Sequence, residues 1–411
     1  MMFDCSCVGD LVNLEVLSFA HCGIRKLPST IGNLRKLKLL DLTGCVDLHI
    51  DDGVFKSLEN LEELYMRVSY GKAIRFTDAN LEELKMLSRQ LNALEVEFVE
   101  KQTQTQLKNS FFMKLDNFKI SMGCLLEYEH FNESYAFKNT LKIVTEHCKD
   151  VLDFQIDALF KKTEKLHVQV KDMTRLEDIS IYTYDQCPFL YLRDLTVSNC
   201  VELKYLFTIP VASGLRKLEL LTVSSCSVLE ALVHDHPSEI NSGDEMIIFK
   251  ELKFMSLKNL PNLVSLFVVD NVVELPQLVQ LEVDGLPNFT TIYPDKNNFS
   301  AFLKSEVKIA KLEKLKIIGM EKLKQIWAPD IEEVNEISML REIDVEGCDS
   351  LVNLFPTNPM RKMNHLERLI VKECGSIEVI FNIDLDNVRH EVEQVSNNSC
   401  LRSIGERCGG Q

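Results

Sequence analysis

The sequence is short of positive charge: 46 Lys and Arg stand against 62 Asp and Glu among 411 residues, a formal net charge of −16. That balance argues against a nucleic-acid ligand, whose phosphates demand a basic face. No run approaches the roughly 20 apolar residues of a membrane-spanning helix. The opening MMFDCSCVGDLVNL has neither the basic nor the apolar region of a secretory signal. No Gly-x-x-x-x-Gly-Lys-Ser/Thr loop occurs, so nucleotide phosphates cannot be cradled that way. Cys5 and Cys7 lie one residue apart, too close for the usual zinc pair, and His234 and His236 lack a second ligand pair. No nucleophile, base and orienter set can be located. There is a single tryptophan, Trp327, which reads as packing beside Leu323 and Ile326 rather than as a ligand platform. The expectation is a chain with no enzymatic activity, no metal and no cofactor, whose function is a surface.

What is there is a frame, Leu-x-x-Leu-x-Leu-x-x-Cys. It reads Leu14, Leu17, Phe19, Cys22 and then Leu37, Leu40, Leu42, Cys45. It returns at Leu192, Leu195, Val197, Cys200 and at Leu218, Leu221, Val223, Cys226. Near the end come Leu340, Ile343, Val345, Cys348 and Leu366, Leu369, Val371, Cys374. This is the signature of a leucine-rich repeat. With the last position relaxed, the second leucine position recurs at Leu64, Leu94, Phe118, Leu141, Leu166, Met255, Leu281 and Leu315. The predicted fold is α/β: a curved horseshoe with a parallel sheet on the concave side and irregular helices, 3-10 turns and loops on the convex side. About fourteen repeats should fill residues 1–383, with irregularity at about 100–160 and a helical excursion there. A ragged tail over 384–411 holds a partial repeat at Leu401 and Ile404.

One repeat cannot fold alone. Ordering about 25 residues costs roughly 1–2 kcal/mol each in backbone entropy, while each buried apolar side chain returns about 1.5–3 kcal/mol. Stacking supplies the missing burial. Six of the 13 cysteines occupy the inward turn of this frame, where a free thiol behaves as a small hydrophobe. With no secretory signal, a reducing cytoplasm is the simpler compartment. Two segments read as exposed convex insertions: HDHPSEINSGDE (234–245) and PDKNNFSAFLKSE (294–306).

The stretches Ile24-Arg25-Lys26-Leu27-Pro28-Ser29-Thr30-Ile31-Gly32-Asn33-Leu34 and LKLLDLTGCVDL (37–48) resemble segments of plant nucleotide-binding leucine-rich-repeat disease-resistance proteins. GVFKSLENLEELYM (53–66), LKNLPNL (257–263) and VEGCDSL (345–351) resemble the coiled-coil class of that family. The resemblance implies the recognition domain of an intracellular immune receptor. Such a domain senses a pathogen effector, or a host protein the effector has altered, and restrains a nucleotide-binding switch domain. Here the switch module is missing, so any ADP or ATP binding belongs to a full-length relative, and the chain is expected to be a fragment. The substrate-recruiting arm of a ubiquitin ligase is the alternative. An extracellular ectodomain would need a signal peptide and paired capping cysteines.

Candidate protein-binding residues are those between the core leucines, expected to face solvent on the concave side. They are Glu63, Tyr65, Arg67, Asp194, Thr196, Phe254, Lys258, Glu282, Asp284, Lys314, Lys316, Glu342, Asp344, Glu346, Arg368 and Lys372. Tyr65 and Phe254 are the hot-spot candidates, since aromatic residues anchor interfaces. The C-terminal third alternates acidic and basic stripes, which either steer a partner or pair across strands. A second candidate is the basic group Arg25, Lys26, Arg35, Lys36 and Lys38. By the resemblance, the first repeats lie against the switch domain, so this group is a docking candidate.

Overall fold

Leucines spaced by two place their side chains on one face of a strand, and the chain uses each such pair for one strand of a parallel ladder. A computed structural model describes residues 5–68, 74–99, 109–123, 139–181, 187–234, 247–268, 273–292, 301–303, 307–327, 339–355, 363 and 365–381. The chain divides into two compact units, Met1–Val170 with Ile179–Ile181, and Lys171–Asp178 with Tyr182–Gln411.

In the first unit the main strands are β1 (Val16–Ser18), β2 (Leu39–Asp41), β3 (Glu63–Tyr65), β4 (Ala93–Phe98), β5 (Asn117–Met122), β6 (Thr140–Thr145) and β7 (Lys165–Val170). They pair in parallel and in chain order. The second unit repeats the plan with β8 (Asp194–Ser198), β9 (Leu220–Ser224), β10 (Phe254–Lys258), β11 (Gln280–Asp284), β12 (Lys314–Ile318), β13 (Glu342–Glu346) and β14 (Arg368–Lys372). Short secondary ladders line the return side, such as Tyr205–Phe207 with Ala231–His234 and Phe267–Val268. This is a leucine-rich-repeat solenoid.

The registers follow the frame. Leu17 opposes Leu40, Leu40 opposes Leu64, and Leu64 opposes Leu94. Leu195, Leu221, Met255, Leu281, Leu315, Ile343 and Leu369 likewise stand on successive rungs. One step departs from expectation. Leu141 opposes Ile120, not Phe118, a slip of two residues that keeps the same face inward. Asn139 fills the gap. Its Oδ1 accepts the Phe118 N–H at 3.0 Å, and its Nδ2 donates to the Lys162 carbonyl at 3.0 Å. A side-chain amide thus stands in for a backbone rung.

Both strand ends are pinned by backbone bonds that the leucine pattern does not spell out. Before most strands, one carbonyl accepts two consecutive N–H groups of the next repeat: Glu15 takes Lys38 and Leu39, and Glu313 takes Arg341 and Glu342. After β1, β2 and each strand of the second unit, the residue preceding the cysteine position adopts a left-handed conformation, as at His21, Gly44, Asn199, Ser225, Asn259 and Gly285. Its N–H reaches the next repeat, for example Gly44 to the Arg67 carbonyl at 2.7 Å. Cys45, Cys200, Cys226 and Cys348 are buried there as expected. Each is also a donor, the Cys200 and Cys226 thiols reaching the Ser198 and Ser224 carbonyls at 3.4 Å. Cys22 is exposed, against expectation, because no described strand covers the outer side of β1.

The return side is helical where it has room. The helix α1 (Asp78–Leu87) is opened by a reciprocal cap between Thr77 and Asn80. Its buried Glu83 accepts the N–H groups of Phe55 at 3.0 Å and Lys56 at 3.3 Å, tying one repeat to the next. Short helices occupy Asn109–Phe112, Cys148–Phe154 and Asp157–Phe160 among the described residues of the 100–160 segment. Trp327 is buried and stacks on Phe355 with ring centroids 6.2 Å apart. The expected loop 294–306 needs correction within its described part: Phe302 is fully buried and packs against Phe289 at 5.6 Å, because an aromatic ring here joins the core. Residues 235–245 of the other insertion and 384–411 of the tail lie outside the described residues. No helix among the described residues is long and apolar enough to cross a membrane.

Candidate functional site

The strand registers sort the outward side chains of the second unit into three rows, with rungs about 4.8 Å apart. The first runs Asp194, Leu220, Phe254, Gln280, Lys314, Glu342, Arg368. The second runs Thr196, Thr222, Ser256, Glu282, Lys316, Asp344, Ile370. The third runs Ser198, Ser224, Lys258, Asp284, Ile318, Glu346, Lys372. Hydroxyls therefore dominate β8 to β10, and charges dominate β10 to β14.

The charged stripes are mutually paired. Glu282 is their hub, with Lys316 at 3.0 Å, Lys258 at 3.1 Å and the Ser256 hydroxyl at 3.2 Å. Burial works against its charge. The hydrogen bonds and charges of Lys316 and Lys258 outweigh that and hold the carboxyl below its usual range. Glu342 pairs with Lys314 at 2.9 Å and faces Arg368 at 3.9 Å. Asp344 differs: its Oδ1 is buried and accepts no hydrogen bond among the described residues.

Solvent exposure departs from expectation at several candidates. Asp194 and Glu282 are buried, at 7% and 9% exposure, and for Glu282 the flanking strands bring Ser256, Lys258 and Lys316 over its carboxylate. Tyr65 and Phe254 are half-buried rather than open. The Tyr65 hydroxyl donates to Glu63, and burial, reinforced by that carboxylate, pushes the phenol's pKa up. Arg67, Thr196, Lys258, Asp284, Lys316, Glu342, Asp344 and Glu346 are half-buried, and Lys314, Arg368 and Lys372 are exposed.

The first unit carries outward rows beyond Glu63, Tyr65 and Arg67. The same registers place Tyr65, Glu95, Lys119, Thr140 and Lys165 in one row, and Glu97, Ser121, Lys142 and His167 in the next. Lys119 pairs with Glu95 at 3.0 Å. Glu97 is 8% exposed, and its Oε1 accepts no hydrogen bond among the described residues. Burial drives its carboxyl up to about 8, against the pull of Arg67 and Lys142. Burial, then Lys142 and Lys165, holds the His167 imidazole down at about 4. The signal was present: Glu95 and Glu97 flank Val96, and His167 sits between Leu166 and Val168.

The basic group does not form one free patch. Lys26 pairs with Asp51 at 3.0 Å, Lys38 with Glu15 at 2.8 Å, and Lys36 donates to the Asn13 side chain at 2.8 Å. Lys26 lies in the return-side strand Lys26–Leu27, whereas Lys38 flanks β2. Arg25 and Arg35 are exposed, with no ion pair among the described residues.

Comparison with known proteins follows the same division. A family model described as plant disease resistance protein RPS2-like, leucine-rich repeats, matches residues 164–299 and 229–375. A model for a leucine-rich repeat region matches residues 6–181. The two meet where the two compact units part. Similar solved structures include the Leptospira interrogans leucine-rich-repeat protein LIC12759, 17% identical over 88% of this chain and 86% of that one, with a TM-score of 0.40. The APL1 leucine-rich repeat domain is 14% identical over 99% of this chain and 89% of that one, with a TM-score of 0.39. The plant peptide hormone receptor RGFR1, in complex with RGF2, is 15% identical over 91% of this chain and 76% of that one, with a TM-score of 0.26.

Proposed function

This chain belongs to the RPS2-like leucine-rich-repeat family of plant disease-resistance proteins, and from that premise we propose that it is the recognition domain of an immune receptor inside the plant cell. It binds a pathogen effector, or a host protein altered by one, through the outward rows of its strands. It also restrains the nucleotide-binding switch domain of the parent receptor. It does so without a cofactor or catalytic step of its own. The observation that carries this reading is the polar face of β10 to β14. Its rows hold side chains of both signs in fixed register, with the third row offering Asp284, Glu346 and Lys372 to a partner. Fixed charges on a rigid sheet discriminate partners by complementarity.

The test is capture of partners by the whole chain from infected and uninfected plant extract, beside the variant D284K/E346K. An effector or host protein retained from infected extract by the wild type and lost by the variant supports the reading. Recovery of ubiquitin-ligase adaptor subunits alone, or equal capture by both chains, overturns it. Co-precipitation of a separately expressed switch domain tests the restraint. Equal recovery by the wild type and R25E/R35E removes those arginines from it.

A further inference from the structure

A pocket of about 470 Å³ opens on the return side of the second unit, lined by Cys187, Leu190, Pro210, Ser213, Gly214, Arg216 and Lys217. None of these belongs to the three outward rows. Its floor is built by close approach. A Cβ added to Gly214 would lie 2.2 Å from the Cys187 Cβ, so only glycine lets the helix Ile209–Gly214 sit this near the preceding loop. Leu190 is 51% exposed and forms an apolar wall with Pro210. Beside it Tyr191, also 51% exposed, lies under the Lys217 ammonium, 4.1 Å from the ring centroid.

The charged groups are all of one sign. Arg216 and Lys217 are exposed cations, and none of the described lining residues is a carboxylate. Among the described residues neither makes an ion pair, whereas Lys253, Lys258, Lys308, Lys314 and Lys316 each meet a glutamate one repeat away. The Ser213 Oγ is buried in the same pocket with no hydrogen-bond partner among the described residues. In a chain of net charge −16, two cations with no carboxylate partner among the described residues, beside an unsatisfied hydroxyl and an open apolar wall, select an anion carrying an apolar group. The pocket is open on one side, so a small molecule would leave much of itself in water, which ligand sites avoid. A polypeptide segment can run past the rim and add contacts there that a small molecule cannot reach.

We propose that this pocket docks an acidic peptide segment of a protein partner, its aliphatic or aromatic side chain on Leu190 and Pro210 and its flanking carboxylates on Arg216 and Lys217. The proposal goes beyond the strand-face reading and is independent of it. The probe is a fluorescein-labelled hexapeptide, DEFLDE, read by fluorescence anisotropy on the whole chain. Controls are DESSDE, which lacks the apolar pair, and NQFLNQ, which lacks the charge. The wild type should bind DEFLDE at least tenfold more tightly than either control. R216E/K217E should lose at least tenfold, and the charge-matched K311E/K322E no more than threefold. L190S, changed at an exposed position, should lose the preference for DEFLDE over DESSDE and keep its urea midpoint. Equal losses in the two charge variants would mean that the overall field alone attracts the peptide. That result, an unchanged preference in L190S, or equal binding of all three peptides would overturn the proposal. D284K/E346K should leave DEFLDE binding intact, which separates this site from the strand face.

Discussion

Replacing Glu97 by glutamine should stabilise the chain, and do so more as the pH rises. The carboxyl is 8% exposed, its Oε1 lacks a hydrogen bond among the described residues, and burial raises it from the usual 4.5 to about 8. A raised acid favours folding least where the unfolded chain ionises and the folded one does not. The penalty is absent below the unfolded pKa, grows as pH rises above about 4.5, and levels off past about 8. At about 1.4 kcal/mol per pKa unit, it reaches roughly 1 kcal/mol at pH 5, roughly 3 at pH 7 and roughly 5 at pH 9. Glutamine keeps the shape and removes the ionisation. Urea unfolding of wild type and E97Q, run at those three pH values with matched ionic strength, reads the difference directly. The gain should climb with pH, by about 2 kcal/mol between pH 5 and 7. The same gain at every pH, or a loss at pH 9, would show that Glu97 is held as an ordinary carboxylate by Arg67 and Lys142.

His167 gives the opposite slope. Its imidazole is held down at about 4, so the wild type loses stability as pH falls from about 6.5 towards 4, by roughly 2 kcal/mol at pH 5. H167Q should flatten that acid limb of the urea midpoint, and an unchanged limb would clear His167 of responsibility. Asn139→Ala leaves the buried Phe118 N–H without its acceptor and should cost about 1–3 kcal/mol. Faster hydrogen exchange at the Phe118 amide is the specific readout, and unchanged exchange would sink the account of the register slip. Gly44→Ala places a side chain at φ +74, 2.4 Å from the His21 Nδ1, and should cost roughly 1–3 kcal/mol in thermal unfolding. Gly23→Ala, with nothing within 4 Å, is the matched control and should be neutral.

The repeats were legible because inward positions obey a period set by the strand itself. Leu221, Met255, Leu281 and Leu315 can be aligned from spacing alone, and they stand opposed. The slip at Leu141 was not legible, because a two-residue shift preserves the inward face and leaves no mark in the hydrophobic pattern. Its only trace is Asn139, one polar residue among many. Outward residues carry less information still. Spacing assigns Glu282 and Asp344 to the same row, but not that one accepts three partners and the other leaves an oxygen empty. That depends on which side chain stands one rung away, a property of neighbouring repeats rather than of either sequence segment. The pocket at Gly214 escaped for the same reason, since it joins a loop before β8 to a helix after it.

The difference between Glu282 and Asp344 bears on how this face would recognise anything. A carboxylate already bound to two lysines and a serine gains little from a partner's donor, which must displace what is there. An oxygen buried without a hydrogen bond already bears a cost of about 1–3 kcal/mol, and a donor that draws Asp344 outward relieves it. Charge count alone would rank the two acids equally. The geometry ranks them in opposite orders for stability and for binding. E282Q should weaken the chain in urea, because Lys258 and Lys316 then face each other across a neutral group, while partner affinity changes by less than threefold. D344N should leave the urea midpoint unchanged or raise it, and should weaken the partner captured by the wild type by roughly five- to 150-fold, the range corresponding to about 1–3 kcal/mol. Matched losses of affinity in the two variants would mean that the face acts through its summed charge, and that the pairing within its rows has no part in choosing the partner.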